Sequence, residues 1–113
     1  MMNTLAILLS LFTPSAPATE VKRTASVYSD KYVGRKTASG EIFSQDKMTA
    51  ASNDFPLGTK VELSYNGNKI TVKINDRMSK KFTGKRIDLS RRAFRALQNK
   101  PDGLHKGVIV KRL

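Results

Sequence analysis

The sequence predicts a mainly β fold, a small closed barrel carrying one short helix. Three observations carry this. Short stretches alternate polar and apolar residues, the signature of half-buried strands. Turn clusters, most of them marked by glycine, separate those stretches. Helical spacing of apolar residues occurs only at Ala93, Phe94 and Leu97. A chain of several short strands is better satisfied by closure than by an open sheet, because closure leaves no exposed edge. At 113 residues, one small domain is expected.

The first residues stand apart from that domain. Leu5-Ala6-Ile7-Leu8-Leu9 and Leu11-Phe12 form an apolar run, followed by the breaker-rich Thr13-Pro14-Ser15-Ala16-Pro17-Ala18. The run is much shorter than the ~20 apolar residues of a membrane-spanning helix. Ala16-Pro17-Ala18 has the small-x-small form of a cleavage site, so residues 1–18 read as a secretory signal peptide. The expected product spans 19–113 and is periplasmic or secreted. Every charged residue lies in it, so it holds the whole formal charge of +12. Such a field favours anionic partners such as a cell-wall polymer, and export disfavours nucleic acid. The chain has no cysteine and one histidine, His105. This leaves no disulfide, no lipid-anchor cysteine and no metal site. A soluble monomer without cofactor or transmembrane span is expected.

The elements follow in order. Val21, Ala25 and Val27 at odd positions mark a first strand over about 22–28, ending at Tyr28. Residues 29–36 are a loop, Thr37 to Glu41 a turn, and Ile42-Phe43 two apolar anchors. Lys47 to Ala51 is a short strand of small residues, and Asp54 to Gly58 a turn. Thr59 to Tyr65 and Lys69 to Ile74 alternate around Asn66-Gly67-Asn68, which predicts a β-hairpin. Its buried face is Val61, Leu63, Tyr65, Ile70, Val72 and Ile74. A basic loop over 75–85 leads to a short strand at Arg86 to Leu89. Ser90 is the expected N-cap of a two-turn helix that stops before Pro101. Gly107 to Leu113 closes the chain as a strand. His105 falls in a turn region and reads as a solvated surface residue. No internal repeat stands out.

Two acids interrupt this basic chain at strand ends. Asp76 follows Lys73-Ile74-Asn75, and Asp88 sits in Arg86-Ile87-Asp88-Leu89-Ser90. From the residues alone Asp76 is either a turn former or a chemical group. Asp88, two residues before the N-cap, reads first as a helix-capping acid and second as a cleft residue.

Five motifs in one order carry a family resemblance. They are Ala25-Ser26-Val27-Tyr28, Gly34 to Glu41, Leu57-Gly58-Thr59, Asn75-Asp76-Arg77 and Arg86 to Ser90. Together they resemble the rare lipoprotein A (RlpA) family over about residues 23–113. The resemblance implies a six-stranded double-psi β-barrel. It also implies an endolytic lytic transglycosylase that cuts the MurNAc–GlcNAc bond of peptidoglycan, preferably in peptide-free strands, and leaves 1,6-anhydro ends. The family's acid in Asn-Asp-Arg falls on Asp76, and its glutamate after Thr-Ala-x-Gly on Glu41. Where the family usually has a histidine after Thr49-Ala50-Ala51, this chain has Ser52, and Met78-Ser79 replaces the usual Gly-Pro.

This chemistry protonates a leaving oxygen while charge builds on the sugar carbon, with the sugar's own C6 hydroxyl in place of water. Asp76 is the first choice for acid and base, with Glu41 orienting the substrate or tuning it. Arg77 beside Asp76 opposes protonation unless its guanidinium points away. Ser52, Arg77, Asp88, Tyr28 and Thr37 are the expected substrate contacts. Ser52 has only a hydrogen bond to offer, and Tyr28 and Tyr32 offer rings to a sugar. Lys80, Lys81, Lys85 and Arg86 flank the site and suit an anionic polymer. Two other readings remain: a non-catalytic glycan-binding or wall-loosening module on the same fold, and a small nucleic-acid binder.

Overall fold

The Asn66-Gly67 turn sets the register of the largest local unit. Both residues take positive φ (47° and 81°), as a two-residue hairpin turn requires. Strands β3 (Lys60–Tyr65) and β4 (Asn68–Asp76) therefore pair antiparallel, with Val61 opposite Val72 and Leu63 opposite Ile70. Val61, Leu63, Val72 and Ile74 are buried, which is the face that alternation predicts.

The computed structural model describes residues 19–100 and 103–113, so the expected signal peptide lies outside the described residues. The other strands are β1 (Glu20–Val27), β2 (Thr49–Ala51), β5 (Arg86–Leu89) and β6 (His105–Arg112). They close in the order β1-β5-β2-β4-β3-β6. This is the six-stranded double-psi barrel that the resemblance implies. The expected loops at 29–36 and 75–85 each contain a single 3₁₀ turn, Asp30–Tyr32 and Lys80–Phe82.

The barrel has an internal two-fold pattern. Exchange β1, β2 and β3 with β4, β5 and β6, and every pairing maps onto a pairing of the same sense. Parallel β1–β5 becomes β4–β2, antiparallel β1–β6 becomes β4–β3, and β2–β5 and β3–β6 map onto themselves. The barrel is thus built from two three-stranded halves of the same pairing, a repeat that the sequence hides.

Helix α1 (Arg91–Leu97) is capped as expected. The Ser90 hydroxyl accepts from the Ala93 amide. Ala93, Phe94 and Leu97 are buried in the barrel's main core with Ile74, Ile87, Leu89, Val108 and Val110. His105 corrects the expectation of a solvated side chain. It opens β6, is 2% exposed, and stacks on Phe94 with ring centroids 3.8 Å apart. Tyr65 stacks 5.0 Å away. The reason is tertiary: Phe94 of α1 and Tyr65 of β3 meet over the residue that opens β6. Burial lowers the histidine's proton affinity, so it packs as a neutral aromatic. Among the described residues, no helix is long and apolar enough to cross a membrane.

Candidate active site

Where β4 runs out of the barrel, the pairing with β2 slips by one residue. Ala50 pairs with Ile74, but Ala51 pairs with Asp76. The bulge breaks alternation, so Ile74 and Asn75 are both buried and Asp76 emerges half-buried at the barrel mouth. Bulges commonly re-aim a side chain beside a functional site. The small residues Ala50 and Ala51 let the backbones approach there.

Asp76 is held on both oxygens. The Tyr28 hydroxyl donates to Oδ2 at 2.6 Å. The Ala38 and Arg77 amides donate to Oδ1 at 2.8 and 2.9 Å. Tyr28 itself is 5% exposed and stacks on Phe43, with centroids 4.2 Å apart. Burial, then the bond to Asp76, pushes its hydroxyl well above the usual tyrosine range, so it stays a donor. Tyr28 thus orients Asp76, and its face is already occupied by Phe43.

Arg77 meets the condition set by the sequence. Its guanidinium turns away and donates to the carbonyls of Ser52 and Phe55, both at 2.7 Å. Ser52 is fully buried. Its amide donates to the Asp76 carbonyl, and its hydroxyl accepts from the Asp54 amide. Ser52 therefore sits in the strut behind the acid, with no surface turned to the cleft.

Asp88 is where the capping expectation fails. The cap is Ser90, and Asp88 lies in β5, paired with Ser26 of β1 and Ala51 of β2. Ile87 and Leu89 enter the core, so alternation turns Asp88 to the other face and into the cleft. The Ser26 hydroxyl donates to it at 3.0 Å. Burial raises its pKa above the usual carboxylate value, and the charge of Asp76 adds to the rise. The Ser26 bond and Arg86 oppose it.

Asp76 and Asp88 thus share a cleft of about 180 Å³, walled by Tyr32, Met78 and Phe82 among others. Thr37 and Glu41 stand behind it. Thr37 is buried, with its hydroxyl 2.8 Å from that of Ser39. Glu41 is bound by the Lys73 ammonium at 2.7 Å, which holds its carboxyl below the usual range. Their turn serves the site through the Ala38 amide. Phe82 and Met78 are cleft residues that sequence reasoning missed. The paired segments Ser29 to Gly34 and Ser79 to Gly84 were the signal available for Phe82. Among the described residues, no acid and histidine cluster has the makings of a metal site.

Comparison with known proteins fits this geometry. A family described as "Lytic transglycolase" matches residues 20–110. A Treponema pallidum protein named "Probable endolytic peptidoglycan transglycosylase RlpA" is 45% identical over 86 residues, covering 74% of this chain and 26% of that protein. A Synechocystis protein of the same name is 47% identical over 88 residues, covering 75% and 25%. The chain thus spans about a quarter of the length of these two relatives. An uncharacterized Synechocystis protein is 35% identical over 83 residues, covering 72% of this chain and 87% of that one. Among solved structures, the Streptomyces papain inhibitor superposes with a TM-score of 0.71 at 26% identity, covering 88% of this chain and 99% of that one. An expansin of Clavibacter michiganensis, in complex with cellohexaose, gives 0.65 at 18% identity, over 83% and 50%. That likeness bears on the fold alone.

Proposed function

The chain belongs to the lytic transglycolase family, and on that premise we propose that it is an endolytic peptidoglycan lytic transglycosylase. It cuts the MurNAc–GlcNAc bond of peptide-free strands and leaves 1,6-anhydro ends. It acts in the periplasm or outside the cell, as a monomer. The observation that carries this reading is the pair of carboxylates in one cleft with opposite surroundings. Asp76 is ringed by three donors, and the half-buried Asp88 has a single hydroxyl.

The roles follow from those surroundings. Asp88, whose surroundings raise its pKa and so favour the protonated form, gives its proton to the glycosidic oxygen as the C1–O bond breaks. Asp76, with both oxygens oriented as acceptors, takes the proton of the C6 hydroxyl as that oxygen bonds to C1. One proton leaves Asp88 and one arrives at Asp76, and exchange with water resets the pair. The sequence alone put both steps on Asp76 with Glu41 assisting. The ion pair of Glu41 with Lys73 favours a supporting role for Glu41 instead.

The test is turnover of purified glycan strands by Asp76→Asn and Asp88→Asn, with binding followed in parallel. Each variant is expected to lose ~10²–10⁴-fold in turnover while still binding glycan. Full turnover in Asp88→Asn would return both steps to Asp76. A second reading is favoured by Ser52, buried where the RlpA family usually has a histidine. It makes the chain a glycan-binding module that cuts nothing, and saturable binding without anhydro products identifies it.

A further inference from the structure

The two 3₁₀ turns are copies of one another. Ser29-Asp30-Lys31-Tyr32-Val33-Gly34 and Ser79-Lys80-Lys81-Phe82-Thr83-Gly84 share serine, lysine, aromatic and glycine at the same four places. The backbones match as well. The Val33 amide donates to the Asp30 carbonyl and the Thr83 amide to the Lys80 carbonyl. Gly34 and Gly84 both leave the turn at positive φ, 84° and 77°. The segments follow β1 and β4, the strands that the two-fold pattern exchanges.

Each copy delivers one ring to the cleft that holds Asp76 and Asp88. Tyr32 is 39% exposed, and Phe82 is only partly buried. A turn needs no aromatic residue, and two in equivalent places at one cleft are costly to leave against water. Each ring also carries two cations. Lys31 Nζ and Arg35 Cζ lie 5.1 and 5.9 Å from the Tyr32 centroid. Lys81 Nζ and Arg86 Cζ both lie 5.0 Å from the Phe82 centroid. None of the four is in an ion pair among the described residues. Each is therefore able to turn to an incoming carboxylate without breaking a salt bridge.

We propose that Tyr32 and Phe82 are a matched pair of sugar platforms. They hold two residues of one glycan strand, one on each side of the bond between Asp76 and Asp88. The four cations make the cleft selective for strands that carry free carboxylates over neutral strands. A sugar's C–H face packs on an aromatic face, and the flanking cations meet its acidic substituent. Two equivalent platforms astride one bond give an endolytic grip, since neither side requires a chain end. This rests on reading the cleft as a glycan site.

The experiment titrates peptide-free glycan oligosaccharides, and the same oligosaccharides with methyl-esterified carboxyls, into the full chain. An Asp76→Asn background lets binding be read without turnover. Tyr32→Ala and Phe82→Ala are each expected to weaken binding by about tenfold, equally, with Tyr32→Phe and Phe82→Tyr restoring it. The paired changes Lys31→Gln with Arg35→Gln, and Lys81→Gln with Arg86→Gln, are expected to weaken the acidic oligosaccharide and leave the esterified one unchanged. Thermal unfolding confirms that each variant folds. If the alanine variants bind like the parent while the native chain still cuts strands, the platforms are wrong and the enzyme reading stands. Loss at one ring alone overturns the matched pair. If both rings matter but the native chain cuts nothing, the platforms stand and the enzyme reading falls. A parent chain that binds neither oligosaccharide removes both.

Discussion

At the scale of single residues, Asp76 and Asp88 differ in what surrounds them, and this has a cost in stability. Asp88 has a folded-state pKa raised above 3.8 by burial. Between 3.8 and that raised value the folded chain binds more protons than the unfolded chain. Stability therefore falls as pH rises through this window, and the deficit persists at neutral pH. Asp88→Asn keeps an acceptor for Ser26 and cannot ionise. It is expected to unfold at a higher temperature than the parent near neutral pH, with the advantage gone well below 3.8, while turnover is lost. A variant less stable at neutral pH would show that Asp88 is not an ionisable burden there. Asp76 was legible in the sequence through Asn75-Asp76-Arg77. Asp88 was visible, read first as a capping acid and second as a cleft residue. An acid two residues before an N-cap serine looks like a capping group, and only the alternation of a four-residue strand turns it to the cleft.

At the scale of elements, the β3–β4 hairpin was readable in full, because alternation and the Asn66-Gly67 turn are local signals. The seat of α1 was not. Its cap at Ser90 is local, but its partner His105 is reached only through the closed fold. His105 makes that contact sensitive to acid. Its folded-state pKa is lowered from 6.5 by burial, and its Nε2 has no partner among the described residues. The unfolded chain takes up this proton first as pH falls through 6.5, so the stability present above 6.5 is lost on acidification. His105→Phe keeps a ring between Phe94 and Tyr65 and removes the proton. The melting temperature of the variant is expected to fall less than that of the parent as pH drops below 6.5. Parallel pH profiles would show that His105 is not the acid-sensitive group. The bulge at Asn75 of β4 was equally hidden, since neither Ala50-Ala51 nor Ile74-Asn75-Asp76 carries a sign of a register slip.

At the scale of the molecule, the closed six-stranded barrel was legible from strand count, turn spacing and the family motifs. Its two-fold pattern was not, because the two halves share shape and pairing more than sequence. The aromatic 3₁₀ turns keep matching residues. The charge of +12 belongs to this scale. Glycan bearing free carboxylates is expected to bind more weakly as salt rises, and esterified glycan much less so. Equal salt dependence for both would place the attraction outside the carboxylates. The central claim is intramolecular attack in the cleft of Asp76 and Asp88, and mass spectrometry of glycan strands digested in ¹⁸O-water tests it most directly. The account predicts 1,6-anhydro ends, one water short of a hydrolysed end and free of ¹⁸O. Reducing ends carrying ¹⁸O, or intact strands from a folded chain, would contradict it.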